Sequence, residues 1–167
     1  ELSLLMRDAD NMVRREKLLR SQSTRSGLVN TMMTLLEARD FITEGHAERL
    51  ELLVGSLAER MGFSSNQLDA MRLFAKFHDI GKVGISDAIL FKPGALTEEE
   101  RTEMRRHSEI GYRIALASSD LVYIAEWILR HHEWWDGSGY PFGLSGEAIP
   151  FECRILSIAD AVDAMTS

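Results

Sequence analysis

The chain has 167 residues, 45% of them hydrophobic, which is enough for one globular domain with a core and short for two. Its net charge of −7 argues against a nucleic-acid polymer as partner, because such a partner requires a basic face. The sequence has no run of 18 apolar residues and no signal-peptide pattern, and a single cysteine, Cys153, excludes an internal disulfide. These features predict a cytoplasmic domain without a membrane span.

The first 26 residues predict one helix with a narrow apolar stripe. Apolar side chains recur at alternating steps of three and four from Leu2 to Leu19, and the pattern fades at residues 21–23. This stripe fits a short parallel coiled coil that follows an upstream sensory or receiver domain, and it fits an ordinary first helix. We therefore predict a linker helix at 1–26 and a globular domain at 27–167.

The next 36 residues predict two helices, and the second carries a histidine. The first extends from Gly27 to Asp40, and the second begins near Thr43 and ends at the C-cap glycine Gly62. A 3.6-residue apolar period puts His46 at the N-terminal end of the inward face of the second helix. Taken alone, this position fits a core histidine as well as a metal ligand.

A histidine followed by an aspartate closes the next predicted helix, at residues 66–79. His78 falls on its buried face, and Asp79 follows directly. Adjacent residues on a helix diverge by about 100°, so the two side chains can reach a common ion only where the helix ends. Gly81 indicates such an end.

Two more helices are predicted before residue 133. Thr97 and Glu100 form a capping box that starts a helix leading to His107. A second helix, beginning near residue 120, brings His131 onto its apolar side. Each histidine thus falls on an inward face or at a helix end.

The last third of the chain predicts a loop and one final helix. His132 precedes a glycine-rich segment at 133–149, and Pro150 opens a helix that bears Asp160 and Asp163. No segment predicts a strand, so the expected fold is all-helical.

Seven potential metal ligands lie on inward faces or at helix ends. They are His46, His78, Asp79, His107, His131, His132 and Asp160. A set of imidazoles and carboxylates without a thiolate suits octahedral Fe, Mn, Co or Ni. A carboxylate can also bridge two ions about 4 Å apart, an arrangement that stabilises both the attacking and the leaving oxygen in phosphoryl transfer. The pattern therefore favours phosphoester hydrolysis.

Three motifs also resemble a known family. They are HDIGK at 78–82, HHEWWDGSGYP at 131–141 with GLSGEAIP after it, and ILSIADAVDAMTS at 155–167. Over residues 28–167 they resemble the HD-GYP family of bacterial cyclic di-GMP phosphodiesterases, a branch of the HD superfamily. The resemblance implies a compact all-α bundle with a metal site in its core.

The resemblance also implies a role for each motif residue. One metal would be held by His46, His78, Asp79 and Asp160, and the second by His107, His131 and His132, with Asp79 bridging. Lys82 would face the scissile phosphate, with Asp79 and Lys82 as the catalytic pair. Gly139, Tyr140 and Pro141 would form a signature loop that shapes the site and contacts diguanylate-cyclase (GGDEF-type) domains. We expect two divalent ions, Fe or Mn.

Three features depart from the family pattern. Some members bind a third metal through a Glu four residues before the first histidine, and Ile42 stands there. Trp134 stands where the family commonly has Arg. The family continues beyond Met-Thr-Ser with basic residues that bind phosphate, so a chain ending at Ser167 is expected to be truncated, to bind metal and to hydrolyse substrate poorly.

The predicted reaction is in-line hydrolysis of cyclic di-GMP by a metal-bridged hydroxide, giving pGpG and then GMP. A competing hypothesis is a sensor of cyclic dinucleotides, or a module that binds diguanylate cyclases, which retains the metal ligands. An HD hydrolase acting on guanosine tetraphosphate would explain residues 78–82 but not residues 131–141. Metal identity, the preferred dinucleotide and a possible homodimer stay open.

Overall fold

A computed structural model describes residues 45–166 and, before them, only Gly27, Thr31 and Thr34. The predicted helix at 1–26, most of the helix to Asp40 and Ile42 lie outside the described residues. The helices are α1 (His46–Arg60), α2 (Ser65–Phe77), α3 (Asp87–Leu90), α4 (Glu98–Arg105), α5 (His107–Leu116), α6 (Ala125–Arg130) and α7 (Phe151–Thr166), with 3₁₀ turns at Ile80–Gly84, Val122–Ile124 and Gly146–Ala148.

The all-α prediction is confirmed. Residues 45–166 contain no strand, and their only β-type pairing is an isolated bridge between Asp136 and Ser145. Within the same range, no helix combines the length and apolar character that crossing a bilayer requires.

Capping interactions fix where two of the helices begin. Thr97 Oγ1 accepts the Glu100 N–H at 3.3 Å, and Glu100 Oε2 accepts the Thr97 N–H at 2.7 Å, which is the capping box predicted for α4. Before α2, Gln67 Oε1 accepts the Ser64 N–H at 3.0 Å in the same way. Both boxes satisfy backbone N–H groups that have no partner within the helix.

The core lies between α1, α2, α6 and α7. Leu50, Val54, Phe74, Ile128 and Leu156 are at most 2% exposed. Burying an aliphatic or aromatic side chain of this size contributes about 1.5–3 kcal/mol relative to leaving it exposed. This packing holds the ends of the four helices in place, and several of the predicted ligands lie at those ends.

Gly81 has a different role from the one its position predicts. The helix ends at Phe77, before the glycine, and Gly81 lies within a 3₁₀ turn. A Cβ on Gly81 would overlap the carbonyl oxygen of His107 and would lie 2.5 Å from the Gly111 nitrogen. The glycine is therefore needed because the turn crosses the backbone of α5 at close range. This crossing brings Asp79 close to the start of α5.

Candidate metal centre

The structure brings all seven predicted ligands into two neighbouring groups. In the first, the triad, the ligands are His46, His78 and Asp160; in the second, the tetrad, they are Asp79, His107, His131 and His132. Within each group, one ligand atom per residue lies within 4.8 Å of the others. Each group therefore contains enough nitrogen and oxygen donors for one metal ion.

Helix ends supply most of these ligands. His46 is the first residue of α1, and His107 is the first residue of α5. His78 and His131 directly follow the last residues of α2 and α6. Asp160 is the exception, because it projects from the middle of α7.

Asp79 lies between the two groups. Its Oδ1 is 3.3 Å from Nε2 of His107 and 3.8 Å from Nε2 of His131. Its Oδ2 is 3.4 Å from Nε2 of His78, which belongs to the triad. Each oxygen of one carboxylate thus faces a different group, and this is the placement that a bridging carboxylate requires.

Hydrogen bonds at Nδ1 orient four of the five imidazoles. His78, His107 and His131 each donate Nδ1–H to the carbonyl oxygen three residues earlier, at 2.7–2.8 Å. His46 Nδ1 lies 2.7 Å from Oδ2 of Asp163. Because these oxygens can only accept, the proton is on Nδ1 and the lone pair on Nε2 points into the ligand groups. The donor set therefore fits divalent metal ions.

The electrostatics keep the four members of the tetrad ready to bind a cation at neutral pH. Burial is the main cause that lowers the pKa of His132 to about 3, and the neighbouring His107 disfavours a second positive charge beside it. Burial also lowers the pKa values of His131 and His107. Although burial opposes ionisation of Asp79, His78 and Lys82 hold its pKa well below the usual range. The three imidazoles are thus neutral and the carboxylate is charged, as ligands must be.

Asp163 holds His46 in place, a role that the sequence analysis did not assign. Arg49 donates to both oxygens of this buried carboxylate, from Nε at 2.7 Å and from Nη2 at 3.0 Å. These hydrogen bonds, and the one from His46, lower the pKa of Asp163. The spacing in the sequence could have indicated this role, because Asp163 follows Asp160 by three residues and so lies on a neighbouring part of the helix surface.

Glu133 organises the loop that follows the histidine pair, and it was also missed. Its side chain is buried, and its two oxygens accept the N–H groups of Phe142 and Leu144, each at 2.7 Å. The Tyr140 N–H donates to the carbonyl oxygen of His132 at 3.1 Å. The motif could have indicated this role, because an acidic side chain directly after two inward-facing histidines must form hydrogen bonds when it is buried.

The loop residues of the signature motif lie against the tetrad. The Tyr140 ring stacks on the His132 ring with centroids 4.8 Å apart, and the Arg105 guanidinium lies 5.3 Å from the centre of the tyrosine ring. Tyr140 and Pro141 are joined by a cis peptide bond. A Cβ on Gly139 would overlap the backbone of the residues just after His132, so only glycine fits there. The loop thus covers one side of the tetrad.

Lys82 lies beside the bridging carboxylate. Its Nζ is 2.6 Å from Oδ2 of Asp79. Lys82 and Asp79 both belong to the segment that packs against α5 at Gly81. Lys82 thus lies beside the predicted ligands, and its role towards a phosphate stays a prediction.

A cavity of about 630 Å³ opens beside both groups. His78, His131, His132 and Asp160 line one side of it, and the rest is lined mainly by aromatic and aliphatic side chains, together with Glu133, Arg154 and Ser157. A volume of this size lies within the range of pockets that hold small organic ligands. The predicted ligands are therefore next to a space that can hold a small organic molecule.

Comparisons with known proteins agree with this geometry. Residues 30–167 match the family model described as HD domain. The chain is 48% identical over 135 residues to a cyclic di-GMP phosphodiesterase of Thermotoga maritima, covering 80% of this chain and 37% of that protein. It is 45% identical over 134 residues to the cyclic di-GMP phosphodiesterase response regulator RpfG of Xanthomonas campestris, covering 79% and 35%.

A third relative carries a different substrate in its name. It is the 3'3'-cGAMP-specific phosphodiesterase 2 of Vibrio cholerae, which is 40% identical over 146 residues, covering 86% of this chain and 28% of that protein. The chain thus spans about a third of the length of these curated relatives. With its HD motif, its GYP loop and these relatives, the chain belongs to the HD domain family and to its HD-GYP type.

Proposed function

We propose that this chain is the catalytic domain of a metal-dependent phosphodiesterase that hydrolyses cyclic di-GMP to pGpG and then to GMP. The observation that supports this most is Asp79, whose two oxygens face the triad and the tetrad separately. The relatives named as cyclic di-GMP phosphodiesterases match the part of the chain that contains both groups. The domain would act in the cytoplasm, as the output of a second-messenger pathway.

We assign one divalent transition-metal ion to each group, Fe or Mn, with Asp79 shared. Imidazole nitrogen and carboxylate oxygen are the donors present, and such a mixed set suits these metals. When bound, the two ions would lower the pKa of a water molecule towards neutrality and would place positive charge near the phosphate oxygens.

The protein's own residues then have three tasks. Asp79 keeps the two ligand groups in fixed relation, because it touches both. The Lys82 cation, next to Asp79, faces the oxygens of the scissile phosphate and stabilises the negative charge that grows there. The buried Nδ1 hydrogen bonds hold the imidazoles, so little reorganisation is needed during the reaction.

A covalent protein nucleophile is not part of this proposal. Cys153 is fully buried in the core, and burial raises the pKa of its thiol. A buried, protonated thiol is a poor nucleophile. Attack by an activated water therefore accounts better for the site.

We also propose that the tip of the 139–142 loop is a docking surface for diguanylate-cyclase (GGDEF-type) domains. Pro141 and Phe142 are exposed at this tip, Phe142 by 59%. Aromatic side chains exposed on a fixed loop are typical of protein interfaces. Phe142→Ser should weaken such a complex and leave hydrolysis unchanged, which a pull-down and an activity assay would measure together.

The direct test of the activity uses protein prepared anaerobically with Mn or Fe and incubated with cyclic di-GMP. Chromatography should resolve pGpG first and GMP later. Asp79→Ala serves as the control for contaminating hydrolases. Tight binding of cyclic di-GMP without any product would contradict the enzymatic proposal and favour a sensor.

A further inference from the structure

The cavity beside the metal ligands has a second wall of different chemistry. Trp134, Trp135, Phe151 and Arg154 line it together with the ligands. The side chains of Trp134 and Trp135 are 57% and 63% exposed. Exposed indole rings on a cavity wall are typical of sites that stack against a planar ligand.

Arg154 is held in this wall without an acidic partner. Its guanidinium lies 5.0 Å from the centre of the Phe151 ring and 5.9 Å from that of Trp135. Its Nε is buried and has no hydrogen-bond partner, and within residues 45–166 no carboxylate lies at ion-pair distance.

Several other arginines among residues 45–166 pair with an acid instead. Three of them each have a carboxylate oxygen at 2.8 Å: Arg101, Arg106 and Arg130. In a chain with a net charge of −7, a half-buried arginine without such a partner has donors left for a ligand.

We propose that this wall binds a guanine base of the substrate, with Trp134 stacking on the base and Arg154 donating to its O6 and N7. This deepens the proposed function and rests on it. The planar fork of arginine matches the two acceptors on that edge of guanine. Adenine presents N7 together with the N6 amino group, which is a donor, so arginine discriminates against it.

The position of Arg154 favours a base over the scissile phosphate. Arg154 precedes Asp160 by six residues on α7, which is about 9 Å along the axis at 1.5 Å per residue. A phosphate held at Asp160 would therefore be displaced along the helix from Arg154, and the ribose and base attached to it can extend over that distance. The names of two relatives specify cyclic di-GMP and 3'3'-cGAMP, and these two dinucleotides differ in one base. A residue that recognises a base would therefore decide between such substrates.

The test compares Arg154→Lys with the wild-type protein on three substrates: cyclic di-GMP, cyclic di-AMP and the base-free diester bis(p-nitrophenyl) phosphate. Lysine keeps the charge and most of the stem but loses the fork. The kcat/KM for cyclic di-GMP should fall roughly 5- to 150-fold, which corresponds to about 1–3 kcal/mol for a bidentate arginine–guanine pair at about 1.4 kcal/mol per decade. The rates with cyclic di-AMP and the base-free diester should stay within twofold. The exposed Arg113→Lys is the matched control.

A second variant tests the stacking partner separately. Trp134→Ala should lower kcat/KM for both cyclic dinucleotides by the same factor and leave the base-free rate unchanged, because stacking does not depend on base identity. Equal losses on all three substrates in either variant would overturn the proposal, because they would indicate a contact with phosphate or damage to the metal site. No loss with cyclic di-GMP would also overturn it.

Binding separates this inference from the proposed chemistry. Quenching of tryptophan fluorescence by GMP and by AMP requires no turnover. The wild-type protein should prefer GMP, and Arg154→Lys should lose that preference. If the base-free diester and cyclic di-GMP are not hydrolysed but GMP is still preferred, the proposed activity fails and the guanine site stands. If hydrolysis occurs and GMP and AMP bind equally, the guanine site fails.

Discussion

The triad and the tetrad use the same types of ligand, but the protein holds them in different ways. In the tetrad, His107 and His131 donate to carbonyl oxygens three residues earlier, so each helix end orients its own ligand. In the triad, His78 is oriented in that same way, whereas His46 is oriented by Asp163, which lies 117 residues away in the sequence. The side chain of Asp160 is 47% exposed, whereas those of His107 and His131 are 2% and 3% exposed.

This difference shows which part of the fold each group depends on. The tetrad needs correct helix ends, the close crossing at Gly81 and the packing of α6 against α5, elements that lie near one another in the sequence. The triad needs α1 and α7 to pack in register, because His46 and Asp160 come from these two helices. We therefore expect the triad to bind its ion more weakly and to lose it first.

The largest effect should come from the residue that the two groups share. Asp79→Ala removes one oxygen from each group and leaves several imidazoles without a nearby anion. We expect loss of both ions and of hydrolysis down to background. Elemental analysis together with product chromatography measures both. Full metal content and activity in this variant would show that Asp79 does not bridge.

A variant of Asp163 should affect the triad alone. Asp163→Asn weakens the hydrogen bonds from His46 and Arg49, and replacing a partner that orients a ligand typically weakens metal binding 10- to 100-fold. Competition with a chelator should therefore show one weakened site and one unchanged site. Asp69→Asn, at an exposed position on α2, is the matched control. Equal weakening of both sites would contradict the difference between the groups.

A variant of Glu133 tests the support of the loop that covers the tetrad. In Glu133→Gln, one oxygen becomes an amide NH₂ that faces a backbone N–H, either that of Phe142 or that of Leu144. A buried donor left without an acceptor costs about 1–3 kcal/mol. Urea denaturation should show this loss, and Glu147→Gln in the same loop should not, because Glu147 is exposed. The metal affinity of the triad should stay unchanged in both variants, because Glu133 supports the loop over the tetrad.

Much of the metal site could be predicted from the sequence, but its supporting contacts could not. The histidines of the two groups could be selected as candidate ligands because the apolar period of each helix also gives the direction of the histidine at its end. Asp163 was missed because its partners lie on a helix more than 110 residues away. Glu133 was missed because its partners are backbone N–H groups, which leave no trace in a side-chain pattern.

Gly81 shows a different limit of sequence reasoning. A glycine after a helical segment fits a C-cap, and it equally fits a point where two backbones cross. The second role depends on α5, a helix that begins 26 residues later. Only tertiary contacts distinguish the two roles.

A smaller effect is expected from pH in the metal-free protein. In the folded state the pKa of His132 is about 3, whereas an unfolded histidine titrates near 6.5, so the unfolded chain binds the extra proton between these values. Stability should therefore fall as the pH drops below about 6.5, by up to about 1.4 kcal/mol per pH unit for this residue. His78 acts in the opposite direction: burial lowers its pKa, but Asp79 outweighs that and the net shift is upward.

A variant isolates the contribution of His132. His132→Asn should flatten the dependence of the unfolding free energy on pH between 6.5 and 4.5, by about one proton. Chemical denaturation at several pH values measures this slope. An unchanged slope would mean that His132 is protonated in the folded protein.

The most direct test of the two-group account is the number of Mn²⁺ ions that bind to the wild-type protein, His46→Ala and His107→Ala. His46 belongs only to the triad and His107 only to the tetrad. We expect two ions in the wild-type protein, the more weakly bound of which is lost first, and one ion in each variant, with the weaker site absent from His46→Ala. A wild-type value near one or three, or loss of both ions in each variant, would contradict the two-group account.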